Sequence, residues 1–140
     1  MAQGSYRMDN QATRICAAFD ARIGEIYWGN YRLHDGLMQS CTEESVSAPE
    51  AVYLPDDNEW LAIGSGWLAY PQMQQQLQQQ LMDVRPDTAP LARDIIPLAK
   101  RDLANNKTIA ATEAAPVYLR QKVAQTVEER QRPSTPGSGV

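Results

Sequence analysis

The stretch Gly64-Ser65-Gly66-Trp67-Leu68-Ala69 has the spacing GxGxxA. It follows an apolar run of strand length and precedes a helical pattern. Glycines at such a turn let backbone amides approach a phosphate at a helix N-terminus. Asp83 stands about twenty residues beyond the strand, where an acid would meet a ribose hydroxyl. The same glycines also suit a turn that only lets the next helix pack closely. The pattern upstream is antiparallel, whereas a dinucleotide fold needs successive βαβ units. A second group is Asp20, Arg22 and Glu25, crowded around a hairpin. Two carboxylates beside a guanidinium can shift a pKa or hold a metal-bound phosphate, or form an ordinary turn with a weak surface ion pair. Tyr27, Trp28 and Tyr31 offer flat faces on which bases could stack. Few basic residues are interleaved with them, which favours packing in a core or interface. Lys100, Arg101 and Lys107 read as helix-surface charges.

Other chemistries lack their residue sets. The single histidine, His34, lies beside an Asp-Gly turn, so no HExxH or paired-histidine metal site can form. A cysteine–histidine dyad would need Cys16 or Cys41 to reach His34, and no spacing indicates it. The two cysteines have no CxxC spacing. A disulfide is conceivable, but the absence of an apolar export signal at the N-terminus favours reduced residues and a cytoplasmic location.

These residues need a scaffold, and the hydrophobic pattern supplies one. Thr13–Phe19 is a nearly continuous apolar run, as in a strand buried on both faces. Glu25–Leu33 is aromatic and β-branched, and fits a pleated surface. Asp35-Gly36 supplies the positive φ angles of a tight hairpin, and Leu37–Val46 returns as a third strand. These segments predict a three-stranded antiparallel meander. Ser47 as a cap, Pro49 in the first turn and Glu50 at the dipole predict a short helix, ended by the turn cluster Pro55–Asn58. Trp60–Ile63 predicts a buried strand. Seven of the ten residues from Gln72 to Leu81 are glutamine, with Met73, Leu77 and Leu81 on one helical face. The alternative of a prion-like segment conflicts with so regular an apolar stripe. A short strand ends near Val84. A further helix covers Thr88–Asn105 with Leu91, Ile95, Leu98, Ala99 and Leu103 aligned, and Pro97 kinks it or starts its second part. Pro116–Arg120 reads as a docked extended segment.

The totals bound the answer. At 140 residues, 43% hydrophobic and 21% charged, the chain is one ordinary globular domain. It has no apolar run long enough to span a membrane. A net charge of −4 argues against a duplex-binding surface.

Phe19-Asp20-Ala21-Arg22-Ile23-Gly24-Glu25-Ile26-Tyr27-Trp28 resembles the DARxGEVYW hairpin of the bacterial TsaB (YeaZ) family. Gly64-Ser65-Gly66-Trp67 resembles its GTGW turn, and Pro116-Val117-Tyr118-Leu119-Arg120 its C-terminal PVYLR. Met1-Ala2-Gln3-Gly4 resembles the middle of a family helix. The match is weak from Met38 to Asn58 and in the glutamine run. The resemblance implies an α/β, RNase H-like lobe of the actin-like ATPase superfamily, with residues 1–10 the remnant of a helix, 11–120 the C-terminal lobe and 121–140 an extended or disordered tail. It implies a non-catalytic relative of TsaD that supports transfer of threonylcarbamoyl to the tRNA adenosine beside the anticodon. Its partners would be TsaD, TsaE, tRNA indirectly and a second copy in a homodimer, with no membrane. The chain alone would hold no cofactor, and ATP or ADP would belong to the complex. Gly64 and Gly66 would be degenerate nucleotide-turn positions, and Asp20, Arg22 and Glu25 partner contacts. The rival expectation is a self-sufficient nucleotide-binding enzyme that uses the Gly64-Ser65-Gly66 turn. A plain oligomerising domain is a third.

Overall fold

A computed structural model describes residues 1–120; the tail expected over 121–140 lies outside the described residues. The chain runs α1 (Ala2–Met8), β1 (Arg14–Arg22), β2 (Glu25–His34), β3 (Leu37–Ser40), β4 (Ser45–Ser47), β5 (Trp60–Ile63), α2 (Gly66–Ala69), α3 (Pro71–Leu77), β6 (Leu81–Arg85) and α4 (Ile96–Ala104), with single 3-10 turns at Pro49–Ala51, Ala92–Asp94 and Ala111–Glu113. The strands form one mixed sheet in the order β3-β2-β1-β5-β6, with β4 beside the first half of β2. β1 pairs antiparallel with β2 and parallel with β5, and β5 pairs parallel with β6. This is a mixed α/β fold.

Alternation along the strands divides the apolar residues between two faces. Cys16, Ala18, Ile26, Trp28, Trp60 and Ala62 point to one side, where Val52, Leu54, Trp67, Met73 and Leu77 cover them. Ile15, Met38, Leu61 and Ile63 point to the other, against Ala2 and Ala12. All four residues of β5 are buried, as expected for a central parallel strand.

The meander forms, but its third strand is broken. Tyr31 faces Ser40, whereas Trp28 faces Ser45, so Cys41–Glu44 stand opposite only Gly29 and Asn30. Asn30 holds this bulge by accepting the Cys41 amide at 2.9 Å and donating its own to Thr42 Oγ1 at 3.3 Å. A Cβ on Gly29 would lie 3.2 Å from both Glu44 Cγ and Tyr31 Oη, so glycine there makes room for the bulge. The short helix is one 3-10 turn, Pro49–Ala51. Ser47 does not cap it; its hydroxyl accepts Trp28 Nε1–H at 2.9 Å instead.

The glutamine helix ends four residues early. Met73 and Leu77 are buried as the period requires, yet Leu81 opens β6. The Trp60 amide donates to the Gln80 carbonyl at 2.8 Å, which draws the chain out of the helix into the sheet. The Gln76 and Gln80 amides reach the carbonyls of Glu50 and Asp56 at 3.3 and 2.9 Å. The helix expected over Thr88–Asn105 is only α4, preceded by a 3-10 turn at Ala92–Asp94. Pro97 sits in the first turn of α4, where its missing amide costs no hydrogen bond. The aligned apolar face is exposed, with Leu103 66% and Ile95 62% accessible.

Two ion pairs tie α1 to distant parts. Arg7 Nε donates to Asp94 at 2.7 Å, and the Asp94 side chain is only 4% exposed. The contact is close because residue 4 is glycine: a Cβ there would stand 2.3 Å from Asp94 Oδ2. Arg85 bridges Asp9 at 2.8 Å and Asp83 at 2.9 Å. Arg7→Ala strands a buried carboxylate, so it should lower stability by about 1–3 kcal/mol, read as a lower urea midpoint at unchanged slope. Hydrogen bonds from Arg85 hold the Asp9 and Asp83 carboxyls below the usual 3.8. Their folded pKa values are depressed, so the stability they add is present above that value and is lost as pH falls below it. Arg85→Met should therefore lower the urea midpoint at pH 6 and change it less at pH 3.

Candidate functional site

β1 and β2 meet in a tight hairpin with an irregularity between Asp20 and Arg22. Arg22, Ile23 and Gly24 have φ of 65°, 57° and 75°. Asp20 holds this turn: its carboxylate accepts the Arg22 amide at 2.8 Å and pairs with the Arg22 guanidinium at 3.2 Å. The Tyr70 hydroxyl donates to the same carboxylate at 3.2 Å, and the Asp20 amide donates to Ser65 Oγ at 3.4 Å. The glycine turn and the Asp20 hairpin are thus one cluster. Burial, together with the Asp20 carboxylate, raises the Tyr70 pKa above its usual value. Glu25 faces away from Asp20 and pairs with Arg120. Arg120 also donates to the Arg22 carbonyl at 3.3 Å and lies 5.7 Å from the Tyr27 ring centroid. The Pro116–Arg120 segment is therefore docked through Arg120, while Pro116, Val117 and Tyr118 are exposed.

Gly64 and Gly66 face inward. Gly64 has φ of 99°, and a Cβ on it would lie 2.4 Å from the Ala18 carbonyl oxygen. At Gly66 a Cβ would lie 2.5 Å from Ile26 Cδ1. The missing side chains are replaced by the protein's own β1 and β2, so the two glycines let the next helix pack closely. α2 covers four residues, and its Trp67 is buried with Nε1–H on the Cys16 carbonyl at 3.3 Å.

The remaining candidates stay apart. Asp83 pairs with Arg85 on the outer strand. His34 is exposed in the Asp35-Gly36 hairpin and contacts Asp35 at 3.1 Å. Cys16 and Cys41 are free thiols, one buried and one exposed. Burial pushes both pKa values up, which disfavours thiolates. Trp28 is buried and forms a T-shaped pair with Tyr53, so it offers no stacking face. Tyr31 donates to Glu44. Arg101 pairs with Asp102, while Lys100 and Lys107 are exposed. No group of three or more metal-ligating side chains occurs among the described residues. A cavity of about 560 Å³ opens beside α1 between Ala17, Phe19, Tyr31 and the segment bearing Leu91, Ile95 and Leu98. Its polar members Gln3, Glu44 and Asp94 already bond within the protein.

Tyr70 and Arg120 complete the cluster and were not singled out from sequence. Tyr70 lies 50 residues from Asp20 along the chain, and local pattern carries no sign of the contact. Arg120 closes the PVYLR motif, which was its only signal. Gly64→Ala and Gly66→Val should each destabilise the fold by about 2–4 kcal/mol through clash and strain. A thermal melt checks this, with Gly24→Ala, which meets nothing within 4 Å, showing the cost of positive φ alone.

No family model matches the chain. It is 41% identical over 128 residues to "tRNA threonylcarbamoyladenosine biosynthesis protein TsaB" of Escherichia coli K12, covering 89% of this chain and 54% of that protein. The protein of the same description from Haemophilus influenzae is 31% identical over 133 residues, covering 88% and 54%. Two solved structures from Pseudomonas aeruginosa share the fold. One, described as having similarity to peptidase YeaZ, gives a TM-score of 0.76 at 37% identity over 85% of this chain and 54% of that one. The other, YeaZ, gives 0.73 at 35% identity over 84% and 54%. The chain spans about half the length of the curated relatives it matches. Over the matched residues its sequence and its fold are those of a chain similar to half of a TsaB (YeaZ) family protein.

Proposed function

We propose that this chain acts as a non-catalytic scaffold in tRNA threonylcarbamoyladenosine biosynthesis, binding TsaD and TsaE and leaving the transfer to them. The observation that carries the reading is the inward packing of Gly64 and Gly66 against Ala18 and Ile26. That packing gives both glycines a structural reason that needs no nucleotide. The Asp20 oxygens are likewise taken up by Arg22 and Tyr70, so the acid works as a fastener of the hairpin rather than as a base. Residues 11–120 would be the C-terminal lobe of an RNase H-like, actin-like pair. An antiparallel meander followed by two parallel strands supports that assignment. No helix among the described residues is long and apolar enough to cross a membrane.

The competing reading is a nucleotide-binding enzyme built on Gly64-Ser65-Gly66. Isothermal titration separates the two. The scaffold reading expects no ATP binding at micromolar concentrations; micromolar affinity lost in Gly66→Val, with the fold retained by circular dichroism, would establish the enzyme instead. In reconstitution with TsaD and TsaE, full-length TsaB should support tRNA modification. The present chain, which spans about half the length of those relatives, should support less modification, because it would retain only part of the pairing surface and a stable interface needs roughly 1,200 Å² of buried area. Full activity from this chain would mean that the whole pairing surface lies within it.

A further inference from the structure

After α4 the chain runs over the surface with little hold on it. Every residue from 107 to 118 is exposed. The hydrogen bonds of this stretch are local. The Lys107 amide donates to the Asp102 carbonyl at 2.8 Å, the Glu113 amide to the Ala110 carbonyl at 2.9 Å, and the Ala110 amide to the Glu113 carboxylate at 3.1 Å. Val117 and Leu119 line an open recess with residues 40–44. Among the described residues, the first side chain beyond α4 that bonds to the sheet is Arg120.

Arg120 makes three contacts with one group. Its guanidinium pairs with Glu25, donates to the Arg22 carbonyl at 3.3 Å and lies 5.7 Å from the Tyr27 ring centroid. A planar, charged fork can bond and stack together, which an ammonium cannot. The side chain is only 13% exposed, yet its buried Nε–H has no acceptor among the described residues. Closure therefore desolvates one donor and closes a long exposed loop. Against this stand one partly exposed ion pair and one hydrogen bond, each a small gain. Costs and gains of similar size describe a segment that opens locally while the core stays folded.

The latch also covers something. Tyr27 stands opposite Phe19 in the β1–β2 register, and residues so paired share one face of the sheet. Phe19 lines the cavity of about 560 Å³ beside α1. Arg120 thus lies over the ring that continues this open apolar face onto β2.

We infer that residues 107–120 form a strap held closed by a single latch, Arg120, and that its opening extends the apolar face beside α1 to Tyr27 and frees the Glu25 carboxylate. The latch is an ion pair, so ionic strength sets the closed fraction. The strap is a conformational device of the fold and does not depend on the scaffold reading.

The test uses the whole 140-residue chain with Cys41→Ser, which removes the exposed thiol and leaves Cys16 buried. Tyr118→Cys then carries a nitroxide spin label; Tyr118 is 79% exposed, so the label enters no packed region. The resonance spectrum should contain an immobile and a mobile component. The mobile share should grow from about 0.05 M to about 1 M NaCl as screening weakens the Arg120–Glu25 pair. Arg120→Lys should raise the ratio of mobile to immobile about two- to fivefold, the range of an exposed ion pair. Glu25→Gln should do the same and remove the salt response. The urea midpoint, followed by tryptophan fluorescence, should not move in either variant, because the strap lies outside the core. A single immobile component that neither salt nor the variants change would mean other contacts fix the strap, and overturns the inference. A single mobile component at low salt with Arg120 and Glu25 intact overturns it too. So does a urea midpoint lowered in both variants, which would make the latch part of the cooperative fold.

Discussion

β5 leaves the sheet at Ile63, directly beside Ala17 of β1, and the next three residues must pass the middle of β1 at almost no distance. The approach to the Ala18 carbonyl at Gly64 and to Ile26 at Gly66 leaves no space for a Cβ at either position. Any side chain there would lift α2 away from the sheet. With α2 close, Trp67 is buried and bonded to the Cys16 carbonyl, and the chain turns into α3 with Met73 and Leu77 over the same core. The same closeness puts Ser65 and Tyr70 within reach of Asp20. One steric constraint thus sets the helical layer and also fixes the outer hairpin.

The polar residues around this turn bond to one another. Asp20 joins Arg22 and Tyr70, and Arg120 joins Glu25 and the Arg22 carbonyl. Exposed ion pairs of this kind add little stability individually. Their effect here is geometric, because they converge on one strained turn and limit its motion. Charge at this end of the sheet holds a shape.

The two faces of the sheet are finished differently. On one, three tryptophans, Trp28, Trp60 and Trp67, pack with residues of α3 and the loop before β5. On the other, α1 is held at its C-terminal end by Asp94 and Arg85 and covers only part of the sheet. Phe19, Leu91 and Ile95 remain more than a third exposed there, next to the open cavity. The helical period of α4 aligns an apolar side, but among the described residues nothing buries it.

Read alone, the sequence determined what short-range chemistry decides. Asp35-Gly36 has one strongly favoured turn, the continuous apolar run of Trp60–Ile63 has one favoured environment, and the family motifs locate the hairpin and the glycine turn. Tertiary structure decided where elements stop. Leu81 continues the helical stripe of Met73 and Leu77, yet an amide on Trp60 needs a carbonyl, and Gln80 supplies it only outside the helix. The third strand breaks at Cys41 because Asn30, buried opposite, takes its bonds from the bulge. GxGxxA could not show which way its glycines face, since spacing is the same whether a phosphate or Ile26 occupies the space. Those outcomes depend on groups far apart in the chain competing for the same hydrogen bonds and volume, and that competition exists only once the sheet has formed.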